Sequence, residues 1–360
     1  MDNEPALDLP KEFLPMPQEI YNEERSKNTV LLTDEQKKEA VSWLLSEGGV
    51  KLILAPKYDK DGRREQIIES LLLNGWFLPS LELANKIPLK ATTGHHAAST
   101  SIPIEFDPNG SVRHKVDLVT KPMANPKKAE YEMGNLRKLS QNGIRAAQPF
   151  AVLSIEDKVG KQAYLLTLLE RGVIPLQKIH FERFNPEYQH QQLRFFLRDL
   201  AGFLSQVHNE GIYHNDMHLG NIGYDLTQQH KNEFVLFDLE GAHVLSDHVK
   251  RRRDNLARKV IQKPKTLRDD EREEVKKFKG VEEEATKDLA YVAADILANN
   301  PKIPKDFIDR CLIAKYYKNR PLLEAYLPPT EFNKIFKGAM RKARQRFEKL
   351  SQRGIESSID

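Results

Sequence analysis

Leu193, Phe196, Leu197, Leu200, Phe203, Leu204 and Val207 recur at the spacing of one helix face, so the chain is predicted to bury a helix that runs up to residue 208. His208-Asn209-Glu210-Gly211 ends it, because glycine accepts the left-handed backbone that stops a helix. The pattern then shortens. Asn221-Ile222-Gly223-Tyr224 and the stretch from Glu233 to Leu239 predict two strands around a polar turn. Earlier in the chain the apolar period is two. Ser101 to Phe106 reads as a strand, Asp107-Pro108-Asn109-Gly110 as a turn, and Val112 to Thr120 as the next strand, ending at Lys121. Phe150 to Ile155 and Gln162 to Leu169 form a second hairpin about the polar residues from Glu156 to Lys161. Helices are predicted at both ends. A capping box, Thr33-Asp34-Glu35-Gln36, opens one that carries Ala40, Val41, Leu44 and Leu45 and stops at Gly48-Gly49. Arg64 to Leu73 forms another, with Trp43 and Trp76 as core anchors. Asp288-Leu289-Ala290-Tyr291-Val292-Ala293 opens a helix that ends at Asn299-Asn300-Pro301. From Glu331 to Leu350, Phe332, Ile335, Ala339, Ala343, Phe347 and Leu350 share one face, opposite a row of lysines and arginines.

Composition adds little to this picture and constrains it at three points. The 360 residues, 39% of them hydrophobic, suffice for a large core in two or three units. Cys311 is the sole cysteine, which excludes an intramolecular disulfide. No apolar run reaches the ~20 residues of a membrane span, and Asp2, Glu4 and Asp8 open the chain without an apolar stretch, so a cytoplasmic protein is expected. Residues 1–30, rich in Pro, Glu and Asn, are expected to be extended and poorly ordered. Asp247 to Glu284 is dense in both charges and is expected to form a mobile flap or an exposed helix beside an acceptor site. Its run Lys250-Arg251-Arg252-Arg253 would draw an anionic acceptor. The net charge of +4 is small, yet the final helix is locally basic. Its expected role is packing, with a weak contact to an anionic surface as a second one.

The chemistry is concentrated in His214-Asn215-Asp216-Met217-His218-Leu219-Gly220-Asn221 and in Asp238 at the end of the second short strand. Phosphoryl transfer needs an acceptor for the incoming hydroxyl's proton and oxygen ligands for Mg²⁺ around the phosphates. Asp216 can serve the hydroxyl; Asn221 and Asp238 can hold the metal. A zinc hydrolase built on His208, His214 and His218 fails, because Gly211 and Gly220 break any helix through them and no glutamate stands where a water-activating base would.

This arrangement resembles the catalytic core of the protein-kinase-like superfamily, closest to its aminoglycoside-phosphotransferase-like and bacterial lipopolysaccharide-kinase-like branches. The resemblance covers roughly residues 87–300. It implies an α+β, two-lobed fold: an N-terminal extension over 1–86, a nucleotide-binding small lobe over 87–170, and a helical catalytic lobe over 171–360 with the charged insertion at 247–284. It implies ATP and Mg²⁺ as cofactors. Lys121 best fits the lysine that pairs with the α/β-phosphates, with Lys115 the runner-up. Glu132 is its partner on the following helix, with Glu130 the alternative. Thr93 and Gly94 fall in the phosphate-covering loop, Glu170 in the hinge that meets adenine. His214 and Asp288 support the catalytic loop. Three positions depart from the family pattern. The covering loop Thr92 to Ser99 has a single glycine, Asn215 replaces a regulatory arginine, and Asp238-Leu239-Glu240-Gly241 replaces Asp-Phe-Gly. Loss of that arginine leans the acceptor toward a saccharide or small-molecule hydroxyl, in place of a protein serine or threonine. A non-catalytic binding module has no need for Asp216, Asn221 and Asp238 together. Transfer of AMP instead of phosphate is the third alternative.

Overall fold

The structure, a computed structural model, describes residues 50–56, 67–68, 102–106, 114–156, 161–169, 172–179, 189–225, 227, 234–300 and 302–356. The capping-box helix, both tryptophans, the turn at 107–110, Thr93, Gly94 and Glu170 lie outside them. Of the helix expected over 64–73, Ile67 and Ile68 are described, helical and buried. The chain divides into two compact units between Gly172 and Val173.

In the first unit a five-stranded sheet is built from β1 (Val50–Leu54), β2 (Ile102–Phe106), β3 (His114–Met123), β4 (Pro149–Glu156) and β5 (Lys161–Leu168). The order is β1-β4-β5-β3-β2 and every pairing is antiparallel. β1 corrects the expected boundary at residue 87. Val50-Lys51-Leu52-Ile53-Leu54 belongs to the sheet, paired residue for residue with β4. It is short and directly follows a glycine pair that reads as a helix stop, so nothing in its pattern marks it as a strand. Pro122 is accommodated because β2 pairs with β3 only as far as Leu118, so Pro122 faces β5 alone among the described strands. Between β3 and β4 runs α1 (Pro126–Gln141). Asn125 caps it by accepting from the Lys128 amide at 3.0 Å, and Pro126 sits in the first turn, where no amide donor is needed. Ala129, Glu132, Met133, Leu136 and Leu139 form its buried face.

The second unit begins with β6 (Val173–Pro175) and α2 (Gln189–Asn209). Leu193, Phe196, Leu197, Leu200, Leu204 and Val207 of α2 are buried, each contributing roughly 1.5–3 kcal/mol of transfer free energy. Gly211, at φ +76°, ends the helix with its would-be Cβ against Leu245. Three small strands, β7 (Ile212–Tyr213), β8 (Ile222–Asp225) and β9 (Phe234–Leu236), follow, with β6-β8-β9 forming one sheet. Gly223 in β8 is required by proximity: a Cβ there would lie 2.5 Å from the Phe237 ring and 2.5 Å from Val173. β10 (His243–Val244) pairs with β7.

Of the two forms expected for the charged stretch, the structure shows the helix, and much of it is solvent-exposed. It forms α3 (Asp247–Gln262) and the first half of α4 (Asp269–Asn299), an unbroken helix of 31 residues in which Asp288 is interior and not a starting residue. Leu256 and Ala257 of α3 pack with Phe278 of α4 and with Tyr326. Several of the charges are paired: Lys250 meets Glu210 at 2.5 Å, Arg252 meets Glu274 at 2.7 Å, and Lys259 meets Glu271 at 2.6 Å. The Lys259 hydrogen bond, with the Arg268 amide, lowers the Glu271 carboxyl to about 2. Charge density predicts the exposed helix but not these pairs, whose partners lie 12 to 40 positions apart in the chain.

The unit closes with α5 (Lys305–Ile308), a π turn (Asp309–Ile313), α6 (Ala314–Lys318) and α7 (Pro329–Glu356). The buried face of α7 is Phe332, Phe336, Met340 and Ala343; Ile335 and Ala339 lie half-buried beside it, a shift in phase from the expected face. No helix among the described residues is long and apolar enough to cross a membrane.

Candidate active site

Elements α2, β7 and β8 deliver the loop 214–221. Gly211 takes the chain out of α2, and its carbonyl accepts from the Leu245 amide at 2.9 Å. Asp288, buried on α4, then fixes the loop from below: its Oδ2 accepts the His214 amide at 2.8 Å and the Asn215 amide at 3.4 Å. Bonds to a carboxylate are about twice as strong as neutral ones, so this contact anchors the loop firmly. Asp295, two turns further along α4, does the same for the far end, accepting the Leu219 amide at 2.8 Å and the Asn299 side chain. Burial pushes the Asp295 carboxyl above its usual value.

His214 joins the loop to the segment after β9 that carries Asp238. Its Nε2 lies 2.8 Å from the Phe237 carbonyl. A carbonyl only accepts, so Nε2 carries the proton. Asn215 adds a second tie, donating from Nδ2 to the Gly241 carbonyl at 2.9 Å. Asn215 and Asp238 both occupy left-handed backbone, at φ 65° and φ 53°. Asparagine and aspartate tolerate this region better than other side chains, and such outliers gather at functional sites. Between them stands Asp216, whose side chain is 55% exposed with Oδ2 4.0 Å from His218 Nε2. Asn221 is buried and donates from Nδ2 to the Asp216 carbonyl at 3.0 Å. That bond commits the amide nitrogen and leaves Oδ1 as the ligand atom. Asn221 Oδ1 and the exposed carboxylate of Asp238 are both hard oxygen donors, the kind of atom that Mg²⁺ takes.

The three histidines share no metal position. His208 is wholly buried, with Nδ1 2.6 Å from the Tyr316 hydroxyl and Nε2 3.5 Å from Asp288 Oδ2. His214 faces Phe237, and His218 Nδ1 accepts the Gly220 amide at 3.0 Å. Sequence reasoning singled out Asp288 and overlooked Asp295, Tyr316, Glu282 and Arg320; it weighed His208 only as a zinc ligand and Arg253 only as part of a basic run. A signal existed for Asp295: it follows Asp288 by two helical turns on a face that is otherwise apolar. For the arginines there was none.

In the first unit, Lys121 Nζ meets Glu132 Oε2 at 2.8 Å, and the glutamate is all but inaccessible to solvent. Lys121 is on β3, opposite Leu165 of β5. Glu130, two residues before Glu132, is exposed on another face of α1. Lys115 is also on β3, opposite Glu105, and its side chain is outside the described set.

The model of the lipopolysaccharide kinase (Kdo/WaaP) family matches residues 111–278. No curated protein matches the chain in sequence. Among solved structures it is similar to WaaP in complex with acyl carrier protein, with 14% identity, a TM-score of 0.44, and coverage of 82% of this chain and 98% of that one. It is also similar to a glucosamine kinase, with 10% identity, a TM-score of 0.35, and coverage of 86% and 77%. A third similarity is to a Toxoplasma gondii specific rhoptry antigen kinase domain, with 14% identity, a TM-score of 0.34, and coverage of 63% and 75%.

Proposed function

On the premise that this chain is a kinase-like phosphotransferase whose residues 111–278 match the lipopolysaccharide kinase family, we propose that it moves the γ-phosphate of ATP to a hydroxyl of a saccharide. One arrangement carries the reading: an exposed carboxylate, Asp216, on a loop held at both ends by buried carboxylates and tied through His214 and Asn215 to the segment bearing Asp238. A binding scaffold has no need of so constrained an exposed acid. In the proposed reaction Asp216 orients the acceptor hydroxyl and takes its proton. Lys121, held by Glu132, neutralises charge on the α/β-phosphates. Asn221 and Asp238 would hold Mg²⁺, which supplies charge neutralisation around the phosphates when bound. Positioning and electrostatics carry most of the rate in such transfers, so fixing these groups in advance is the protein's main contribution.

The experiment incubates the protein and radiolabelled ATP with Mg²⁺ and three acceptors: purified lipopolysaccharide, free glucosamine, and a mixture of serine- and threonine-rich proteins. Label on the saccharides is expected, and label on protein alone would overturn the acceptor class. Asp216→Asn should lower transfer by on the order of 10²–10⁴-fold while ATP binding, followed by titration, is kept. Unchanged turnover in this variant removes Asp216 from the reaction.

A further inference from the structure

Arg253 is the unexpected member of the basic run. Its side chain is only 5% exposed, and the guanidinium is fully engaged. Nη2 donates to the Asn209 carbonyl at 2.7 Å and Nη1 to the His208 carbonyl at 3.2 Å. Nη1 also donates to the Tyr213 hydroxyl at 2.7 Å, and Nε donates to Asp254 at 2.9 Å. Glu282 of α4 lies 3.7 Å away and balances the charge. Glu282 is shared with Arg320, whose Nη2 meets its other oxygen at 2.6 Å, and the Arg320 Nε reaches Asn209 Oδ1 at 3.2 Å. Two cations thus stand at the carboxyl end of α2, where the unsatisfied carbonyls and the helix dipole concentrate negative charge.

We propose that Arg253 is a positioning residue for phosphoryl transfer, clamping the last carbonyls of α2 and the hydroxyl of Tyr213 so that the loop bearing Asp216 keeps one geometry. The inference rests on the phosphotransferase reading. Tyr213 immediately precedes His214, and its backbone is in β7, so the clamp grips the chain on both sides of Gly211. Glycine gives that turn its left-handed freedom, and Arg253 removes the freedom again. The fork geometry matters: five donors in one plane reach two carbonyls, a hydroxyl and a carboxylate together, which an ammonium on a flexible stem does not. α3 does not depend on this contact for its place, since Leu256 and Ala257 pack against Phe278 and Tyr326 independently. The segment that follows Asp238 therefore returns to brace the loop that carries Asp216.

The test compares Arg253→Met, Arg253→Lys and Leu256→Ala in the full chain, with purified lipopolysaccharide as acceptor. Arg253→Met is expected to lower kcat on the order of 10²-fold, the scale of an ångström-sized misplacement, with KM for ATP unchanged. Arg253→Lys should recover part of the loss. Leu256→Ala removes packing from the same helix and should lower Tm while leaving kcat as in the parent. If Leu256→Ala loses kcat in step with Arg253→Met at equal loss of Tm, the clamp is only structural and the proposal falls. Amide hydrogen exchange of residues 213–221 gives a readout independent of turnover. Faster exchange in Arg253→Met but not in Leu256→Ala supports the clamp, and unchanged exchange overturns it. Should the parent transfer phosphate to no acceptor, the functional reading fails while exchange still decides the clamp.

Discussion

At the scale of single residues, the candidate site distinguishes groups that act from groups that hold. Asp216 and Asp238 are exposed carboxylates, whereas Asp288 and Asp295 are buried ones that accept backbone amides. In the proposed reaction Lys121 belongs to the acting class. Removing a charged hydrogen-bonding group costs roughly 1.5–3 kcal/mol, so Lys121→Ala should weaken ATP binding by about 10–100-fold in titrations, with or without Mg²⁺. Lys115→Ala should be silent; the opposite result would move the phosphate lysine to Lys115. The family resemblance implied that Lys121 pairs with Glu132 and that Asp288 supports the loop, and both contacts are present at 2.8 Å. Arg253 was not legible. One arginine among four consecutive basic residues carries no mark of being buried, since the backbone carbonyls and the tyrosine to which it donates lie 40 or more positions away.

At the scale of elements, what could be read from the chain depended on length and on periodic contrast. α2, with seven apolar positions on one face, was legible to within a few residues. β1 was not, because five residues with a lysine among them give too short a pattern to separate from a loop. α7 was legible as a helix but not in phase: Phe336 and Met340, outside the expected stripe, are more deeply buried than Ile335 and Ala339. The small sheet β6-β8-β9 leaves no room for a side chain at Gly223, where a Cβ would meet an aromatic ring and a β-branched valine, neither of which yields easily. Gly223→Ala should therefore destabilise the protein by about 1–3 kcal/mol, the usual cost of overpacking. Denaturant unfolding measures it, and an unchanged midpoint would mean that Phe237 repacks freely.

At the scale of the whole molecule, stability is linked to pH through the buried polar cluster. Burial lowers the His208 pKa from its usual 6.5. The unfolded chain then takes up a proton at a higher pH than the folded one. The histidine's contribution to stability is complete above 6.5 and is lost as pH falls through the lower, folded value. Urea midpoints should drop across that window, and His208→Gln, which has no titrating group, should flatten the drop. An equal drop in that variant would assign the acid sensitivity to other groups.

The length of α4 has a consequence for how this chain can be divided. The stretch with a family signature ends at residue 278, in the first third of that helix. The carboxylates under the loop, Asp288 and Asp295, are beyond it. A crossover in evolution, or a chimera joined at that point, would keep Asp216, Asn221, Asp238 and Arg253 while replacing the two acids and altering their angular register on the helix. The smallest portion that can be exchanged as a working module therefore extends past its most recognisable part, at least through the end of α4.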